Sequence, residues 1–286
     1  MPKVAIVAAL EREVGALIKR WSRISREHEG REFIFFEHDD VVAVCGGIGV
    51  DAARRTAEAV IALYHPTMVQ SVGFAGALDS SLHVGDVFTP SVITDARDGS
   101  RMQSEGMQLT SGEGSLVTFM AVAGAEQKLK LARAYDARAV DMEAAAVAAA
   151  ARAHAIPFVA IKVISDEMDF EIPGADRFID ANGQFRTKSF VLFAALRPWL
   201  WMRVATLASN SNKAAKSLAA HLERSSRPPV SGGRPRSDQP RSDQARSDQE
   251  RADQARADPR RSTTSSGPGS IQPVAAANRS PGEGRE

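Results

Sequence analysis

The sequence predicts an α/β fold: a single domain with a mostly parallel central sheet flanked by helices, followed by a disordered C-terminal tail. Three observations support this prediction. Apolar runs typical of buried strands alternate with Ala-rich, helix-like segments from residue 3 to about residue 164. Gly-rich and acidic motifs follow several of these runs. The composition changes at about residue 226, beyond which almost no apolar residue is available for a core.

The first half of the chain alternates strand and helix signals. The run 3–9 is apolar on both faces, as in a parallel sheet, and the segment after it opens with acids that favour a helix N-terminus. The predicted strands are 3–9, 32–36, 40–45, 67–71, 84–88 and 91–94, and the predicted helices are 11–18 and 51–64.

The second half begins with a polar, Gly-rich stretch at 95–113, which predicts a long loop. Strand signals follow at 116–123, 139–142 and 158–164, with helix signals at 126–133 and 143–154. Residues 186–207 are helical in character but contain Pro198, which cannot continue a helix without a kink.

The change in composition predicts two parts, a catalytic domain at 1–225 and a disordered tail at 226–286. Arginines recur every five residues from Arg236 to Arg256, a period that matches neither helix nor strand. The tail holds 11 Arg and 8 acids, and subtracting these from the whole leaves 25 basic and 27 acidic residues in the domain. A nearly neutral domain argues against specific nucleic-acid binding.

The cellular setting is predicted to be cytoplasmic. Cys45 is the one cysteine of the chain, so no intramolecular disulfide can form. The N-terminus lacks the layout of a signal peptide, and no apolar run has the length of a spanning helix, about 18 residues.

Five motifs are predicted to meet at one edge of the sheet, because ligands bind beyond the carboxyl ends of parallel strands. A carboxyl group in a protected site can carry a proton at neutral pH, which suits the cleavage of a bond to a poor leaving group. Each acid also has a purely structural reading, as a helix N-cap for Asp166 and as a first-turn acid for Glu143 and Glu13. No His, Cys and Glu set has metal-ligand spacing. The motifs are Glu11/Glu13, 46–49, 73–76, Met142/Glu143 and Ser165/Asp166.

The order and spacing of these motifs resemble the family of nucleoside phosphorylases and nucleosidases that includes methylthioadenosine/S-adenosylhomocysteine nucleosidase. The resemblance covers residues 3 to about 195. Within the family, the segments 165–170, 177–180 and 183–187 are most similar to hopanoid-associated phosphorylases. The motifs that carry the family resemblance are VAIVAALEREV at 4–14, GGIG at 46–49, VGFAGAL at 72–78, VGDV at 84–87, VDMEA at 140–144 and VISD at 163–166.

The resemblance implies a nucleoside phosphorylase-like fold and cleavage of an adenosine-like nucleoside with release of adenine. Asp166 would protonate purine N7, Glu13 would activate the nucleophile, and Glu143 would accept hydrogen bonds from the ribose hydroxyls. Carboxylates near the sugar would stabilise the positive charge that develops on it. The implied substrate-binding residues are Met142, Glu143, Ile48, Phe74, Ala75, Gly76, Val122 and Ser165.

The resemblance also implies a homo-oligomer, most simply a dimer, and no cofactor other than inorganic phosphate if the enzyme is a phosphorylase. Two residues depart from the nucleosidase pattern. Phe74 replaces a small residue near the ribose, and Lys162 replaces an arginine and so loses the planar fork of a guanidinium. Arg12, Arg54 and Arg55 are the candidates for holding phosphate, and the sequence leaves the choice of water or phosphate open.

The segment 190–204 is rich in apolar and aromatic residues with interleaved arginines. It predicts either a helix that contacts the membrane interface, as a lipid-linked nucleoside substrate would require, or a helix packed on the sheet or on a partner subunit. Peripheral contact with the inner membrane face is therefore an expectation to test.

Two other functional hypotheses stay open at this point. A catalytically silent protein on the same fold would bind nucleosides without consuming them, and Phe74 and Lys162 are the residues that favour it. A scaffold acting through its charged tail would lose its function when 226–286 is deleted.

Overall fold

The computed structural model describes residues 2–104, 114–171, 174–180 and 183–225. The predicted disordered tail, 226–286, and residues 105–113 of the predicted long loop lie outside the described residues.

The described residues form one sheet of eleven strands. Apolar, β-branched runs form its central strands, whereas the strands at its edges are shorter or more polar. The strands are β1 Val4–Ala8, β2 Ser22–His28, β3 Arg31–His38, β4 Val41–Cys45, β5 Met68–Ala77, β6 Val87–Phe88, β7 Val92–Asp95, β8 Arg101–Gln103, β9 Ser115–Thr118, β10 Ala139–Asp141 and β11 Phe158–Asp166.

Six α-helices and one short 3₁₀-helix at Ala175–Phe178 accompany the sheet in the described part of the chain. Pro198 begins the last helix, a position at which its missing N–H is not needed. The α-helices are α1 Glu11–Ile18, α2 Val50–Tyr64, α3 Ala125–Tyr135, α4 Ala144–Ala153, α5 Thr187–Ala195 and α6 Pro198–Ser225.

Strand β5 is the centre of the sheet. It pairs in parallel with β1 on one side and with β11 on the other, and its last residues pair antiparallel with β10. The order β2-β3-β4-β1-β5-β10-β9-β7-β8 runs across the sheet, while β11 branches from β5 and pairs in turn with β6. Parallel pairing also joins β1 to β4, β9 to β10 and β7 to β9. The predicted α/β class with a central sheet is thereby confirmed.

Helices cover both faces of the sheet. On one face α2 and α4 pack through small and apolar residues such as Ala57, Val60 and Val147, all of them 0% exposed. On the other face α1 and the second half of α6 pack against β1 and β11 through Val14 and Leu218. No helix in the described ranges is long and apolar enough to cross a membrane.

Several predicted boundaries are wrong, and one strand was missed. The polar strand β2 was not predicted, because as an edge strand it keeps most of its side chains in solvent. β8 lies inside the predicted loop 95–113. β9 ends at Thr118, whereas the prediction extended this strand to residue 123. β5 continues to Ala77 instead of ending at residue 71, and α6 continues well beyond residue 207.

Candidate active site

One cavity brings together all ten site residues predicted from the sequence. It surrounds the last part of β5, where the end of β11 and the antiparallel strand β10 both reach Gly76. The expectation that each motif follows a strand is wrong for Phe74, Ala75 and Gly76, which lie within β5. The predicted residues that line the cavity are Asp166, Glu13, Met142, Glu143, Ile48, Phe74, Ala75, Gly76, Val122 and Ser165.

Glu13 is buried in the first turn of α1, directly after β1. Its Oε2 accepts hydrogen bonds from the amides of Ala9 at 3.1 Å and Leu10 at 3.0 Å, and its Oε1 accepts one from the amide of Phe74 at 3.4 Å. Burial raises the pKa of Glu13, while the amides of Leu10 and Phe74 and the Lys162 ammonium act in the opposite direction. A buried carboxyl group with a raised pKa can take a proton from a nucleophile.

The close approach of β5 to Glu13 depends on Gly73. A Cβ atom at this position would lie 3.0 Å from Glu13 Oε2. The glycine therefore leaves the space in which the Glu13 carboxyl group and the β5 backbone meet.

Glu143 lies between β10 and α4 and accepts two backbone hydrogen bonds. The amide of Gly49 donates to Oε1 at 2.9 Å, and the amide of Met142 donates to Oε2 at 3.2 Å. Gly49 has a φ of 96°, a left-handed conformation that glycine adopts without steric cost. Burial, together with the neighbouring Asp141 carboxylate, raises the pKa of Glu143 to about 8. Its carboxyl oxygens are suited to accept hydrogen bonds from the hydroxyls of a sugar.

A buried ion pair supports the floor of the cavity. Lys162 on β11 is 1% exposed, and its Nζ lies 2.9 Å from Asp141 Oδ2 and donates to Ser71 Oγ at 3.0 Å. Thr118 Oγ1 donates to the other oxygen of Asp141 at 2.7 Å. A lysine at this position therefore needs no planar fork, because it has one carboxylate and one hydroxyl as partners.

Asp166 ends β11 at a bulge, where the register shifts between Ile164 and Asp166. Ser165 Oγ donates to Asp166 Oδ1 at 2.7 Å, and Lys128 Nζ donates to Oδ2. The structural reading of Asp166 as a helix N-cap does not apply, since no helix begins in the described residues 167–171 that follow it. Its carboxyl group borders the cavity, where it can exchange a proton with a bound base.

Part of the lining comes from two segments whose boundaries differ from the prediction. Val122 is 46% exposed and lies in the loop after β9, not in a strand. Leu207 and Ser211 of α6 also line the cavity and were missed. Ser211 lies beyond the predicted end of the helix at residue 207, and no motif links Leu207 to the other site residues. Phe74 is partly buried, with its ring packed on the core shared with α6.

In the described part of the chain, one arginine and one lysine line the cavity. Of the three arginines proposed as phosphate ligands, Arg12 lines the cavity, whereas Arg54 and Arg55 are not among its lining residues and Arg54 forms an ion pair with Glu58 on α2. Lys128 was missed because nothing in the sequence distinguishes it from Lys130 on the same helix. Among the described residues, no cluster of three or more His, Cys, Asp or Glu side chains could hold a metal ion.

Comparison with known proteins gives a consistent result. The phosphorylase superfamily matches residues 3–108 and 114–196. A 5′-methylthioadenosine/S-adenosylhomocysteine nucleosidase from Staphylococcus aureus strain JH9 is 29% identical over 206 residues, which cover 59% of this chain and 90% of that protein.

Solved structures show the same fold at lower sequence identity. The apo 5′-methylthioadenosine nucleosidase of Arabidopsis thaliana superimposes with a TM-score of 0.59 at 20% identity, covering 78% of this chain and 95% of the other. The futalosine hydrolase of Helicobacter pylori gives a TM-score of 0.55 at 17% identity, covering 78% and 98%. With the superfamily match extending over most of the chain, the protein belongs to the phosphorylase superfamily and is an enzyme of the nucleosidase and nucleoside phosphorylase family.

Proposed function

We propose that this enzyme cleaves the N-glycosidic bond of an adenosine-like nucleoside and releases adenine. The observation that carries the proposal is that Asp166, Glu143 and Glu13 border one cavity with different partners. The relatives named as nucleosidases support the reaction class.

In the proposed reaction, the bond between ribose and purine breaks and its electron pair moves onto the base. Asp166 transfers a proton to purine N7, so that adenine leaves as a neutral molecule. Positive charge develops on the ribose, and the carboxyl groups of Glu143 and Glu13 stabilise it. Met142, Ile48 and the β5 segment 74–76 would form the walls that hold the ribose and the base.

For the nucleophile we favour water, activated by Glu13. Glu13 borders the cavity with a raised pKa, so that it can take a proton from water. A phosphate dianion would instead need free cations to hold it. Lys162 is engaged by Asp141, and Lys128 by Asp166. Adenine release should therefore proceed at the same rate in phosphate-free buffer. A rate that requires phosphate would instead identify a phosphorylase and make Arg12 its first candidate ligand.

For the 5′ substituent we favour an apolar, lipid-linked group such as that of adenosylhopane. Helix α6 contributes Leu207 and Ser211 to the cavity, and exposed apolar side chains are concentrated in α5, at the turn after it and in the first turn of α6. The exposed side chains of this apolar surface are Leu192 at 64%, Leu196 at 70%, Trp199 at 72%, Trp201 at 57% and Met202 at 77%. Peripheral membrane contact through this surface would bring the enzyme to such a substrate.

Binding to liposomes tests the membrane contact separately from catalysis. The full chain should co-sediment with anionic liposomes, and the double variant Trp199→Ser/Trp201→Ser should remain in the supernatant with unchanged thermal stability. Equal behaviour of the two proteins would contradict the proposal and favour the packing of this surface on a partner subunit, as in the homodimer that we also propose.

The decisive experiment measures adenine release from methylthioadenosine, S-adenosylhomocysteine and adenosylhopane, each with and without phosphate. The Asp166→Asn variant should lose about 10²- to 10⁴-fold in kcat, because it can no longer supply the proton. Asp169→Asn, the same substitution at an exposed position three residues later, is the matched control and should keep the full rate. Binding of these nucleosides without any release would support a silent binding protein instead.

A further inference from the structure

Lys128 is a buried cation beside the candidate proton donor, and it has no role in the reaction proposed above. It lies on α3, is 1% exposed, and its Nζ reaches Asp166 Oδ2. The same Nζ donates to the carbonyl oxygens of Glu167 at 2.6 Å and Phe170 at 3.2 Å. All three donors of the ammonium group are therefore used, which a buried lysine requires to offset its loss of hydration.

These contacts fix the Asp166 carboxyl group from two sides. Lys128 holds Oδ2, while the hydroxyl of Ser165 holds Oδ1 at 2.7 Å. The carbonyl contacts also tie the chain that follows β11 to α3. With both oxygens held, the carboxyl plane has a defined orientation toward the cavity.

A third element leaves room for the Lys128–Asp166 pair. A Cβ atom at Gly76 on β5 would lie 2.8 Å from Asp166 Oδ2 and 3.3 Å from Lys128 Cε. The absence of a side chain at this position lets the ammonium and the carboxylate meet above the strand. Three separate elements, β5, β11 and α3, thus converge on this contact.

We infer that Lys128 is a positioning residue for Asp166 and stabilises the carboxylate that proton transfer leaves behind. This inference rests on the proposed function. As the glycosidic bond breaks, the proton of the Asp166 carboxyl group moves to purine N7. The aspartate that remains carries a full negative charge, and the Lys128 ammonium beside it offsets that charge. The alternative is a lysine that only braces the chain after β11, without acting on the chemistry.

The two roles differ in a double-mutant cycle. Lys128→Met should lower kcat for adenine release about 10- to 100-fold by displacing the Asp166 carboxyl group, with little change in KM. In the Asp166→Asn background the same substitution should have no further effect, because Lys128 acts through Asp166. An equal loss in both backgrounds, or a rise in KM at unchanged kcat, would overturn the inference.

Two controls keep the test interpretable. Lys130→Met removes an exposed lysine from the same helix, where it pairs with Glu126, and should leave kcat unchanged. If Lys128→Met does not fold, Lys128→Arg keeps the charge but moves it, and the same cycle applies with a smaller loss of kcat.

A crystal structure of the Lys128 variant gives an answer that does not depend on turnover. The Asp166 carboxyl group should rotate away from its place between Ser165 and Gly76. An unmoved carboxyl group would reject the positioning role even if the wild-type enzyme releases no adenine, a result that would count separately against the proposed function.

Discussion

Three carboxyl groups of the cavity have different partners, and the partners separate their proposed roles. Glu13 accepts hydrogen bonds from backbone amides, which fix its position. Glu143 accepts from two amides but lies next to the Asp141 carboxylate. Asp166 is held by a hydroxyl and an ammonium group. The same functional group can therefore serve as base, charge stabiliser and acid in one cavity, because its environment differs at each position.

The raised pKa of Glu143 makes stability depend on pH. The pKa of Glu143 is about 8 in the folded protein and 4.5 in its ordinary environment. Between these two pH values the folded state therefore binds more protons than the unfolded chain. The contribution of Glu143 is complete below pH 4.5 and is lost as the pH rises through 8. We expect the wild-type melting temperature to fall from pH 6 to pH 9, a fall that also includes the effect of the raised pKa of Glu13.

The Glu143→Gln variant should show a shallower fall over the same pH range, measured by thermal unfolding. Glu58→Gln, on the surface of α2 and outside the cavity, is the matched control and should follow the wild type. An unchanged slope in Glu143→Gln would mean that this carboxyl group does not ionise above its ordinary range.

Gly76 offers a second test at the scale of one residue. Gly76→Ala places a methyl group against Asp166 Oδ2, and the carboxyl group must move. A displacement of this size should reduce kcat about 10²-fold while the melting temperature changes little. Steady-state kinetics and thermal unfolding measure both effects, and full activity in this variant would contradict the close contact.

Gly15→Ala is the control for Gly76→Ala, because it makes the same substitution at a glycine outside the cavity. No atom lies within 4 Å of a Cβ atom at Gly15, which is in the interior of α1. Alanine should raise the free energy of unfolding by about 0.5–1 kcal/mol and leave kcat unchanged.

The residues of the cavity were predictable where short motifs carry them. Glu13, Glu143 and Asp166 follow apolar runs, so the sequence places them beside buried strands. Lys128 could not be found in this way, because a lysine on a polar helix is usually exposed and its burial depends on where α3 packs. The pairing of Lys162 with Asp141 also depends on the sheet, which places β11 near β10 through β5.

At the scale of single elements, α6 is the largest departure from the sequence prediction. Residues 209–212, in the middle of this helix, are Ser and Asn, which weaken the helical pattern in the sequence. Three residues, Ala214, Leu218 and Leu222, nevertheless pack into the core shared with α1 and β11. These residues recur every four positions, as on one face of a helix, and their packing on α1 and β11 stabilises the helix beyond its polar middle.

The packing of α6 can be tested by removing one side chain. Leu218 is 0% exposed, and Leu218→Ala should reduce the free energy of unfolding by about 2–5 kcal/mol. Leu196→Ala, at a side chain that is 70% exposed, should change it by less than about 0.5 kcal/mol. Urea unfolding measures both, and equal values would show that the second half of α6 is not part of the folded core.

At the scale of the whole molecule, the sequence predicts that catalysis belongs to residues 1–225. The tail 226–286 offers little apolar surface, and each arginine of its repeat is followed two positions later by an aspartate. A protein ending at residue 225 should therefore keep the kcat and KM of the full chain. Loss of adenine release on this truncation, with the melting temperature preserved, would instead favour a function that resides in the tail.

Strand β5 has a consequence for how the enzyme inactivates on heating. Phe74, Ala75 and Gly76 line the cavity, yet the same strand pairs with β1, β10 and β11 and so joins the two halves of the sheet. The side chains proposed to act in catalysis are therefore held together by the sheet, and they separate when the sheet unfolds. Inactivation and loss of secondary structure should thus follow one cooperative transition with a common midpoint.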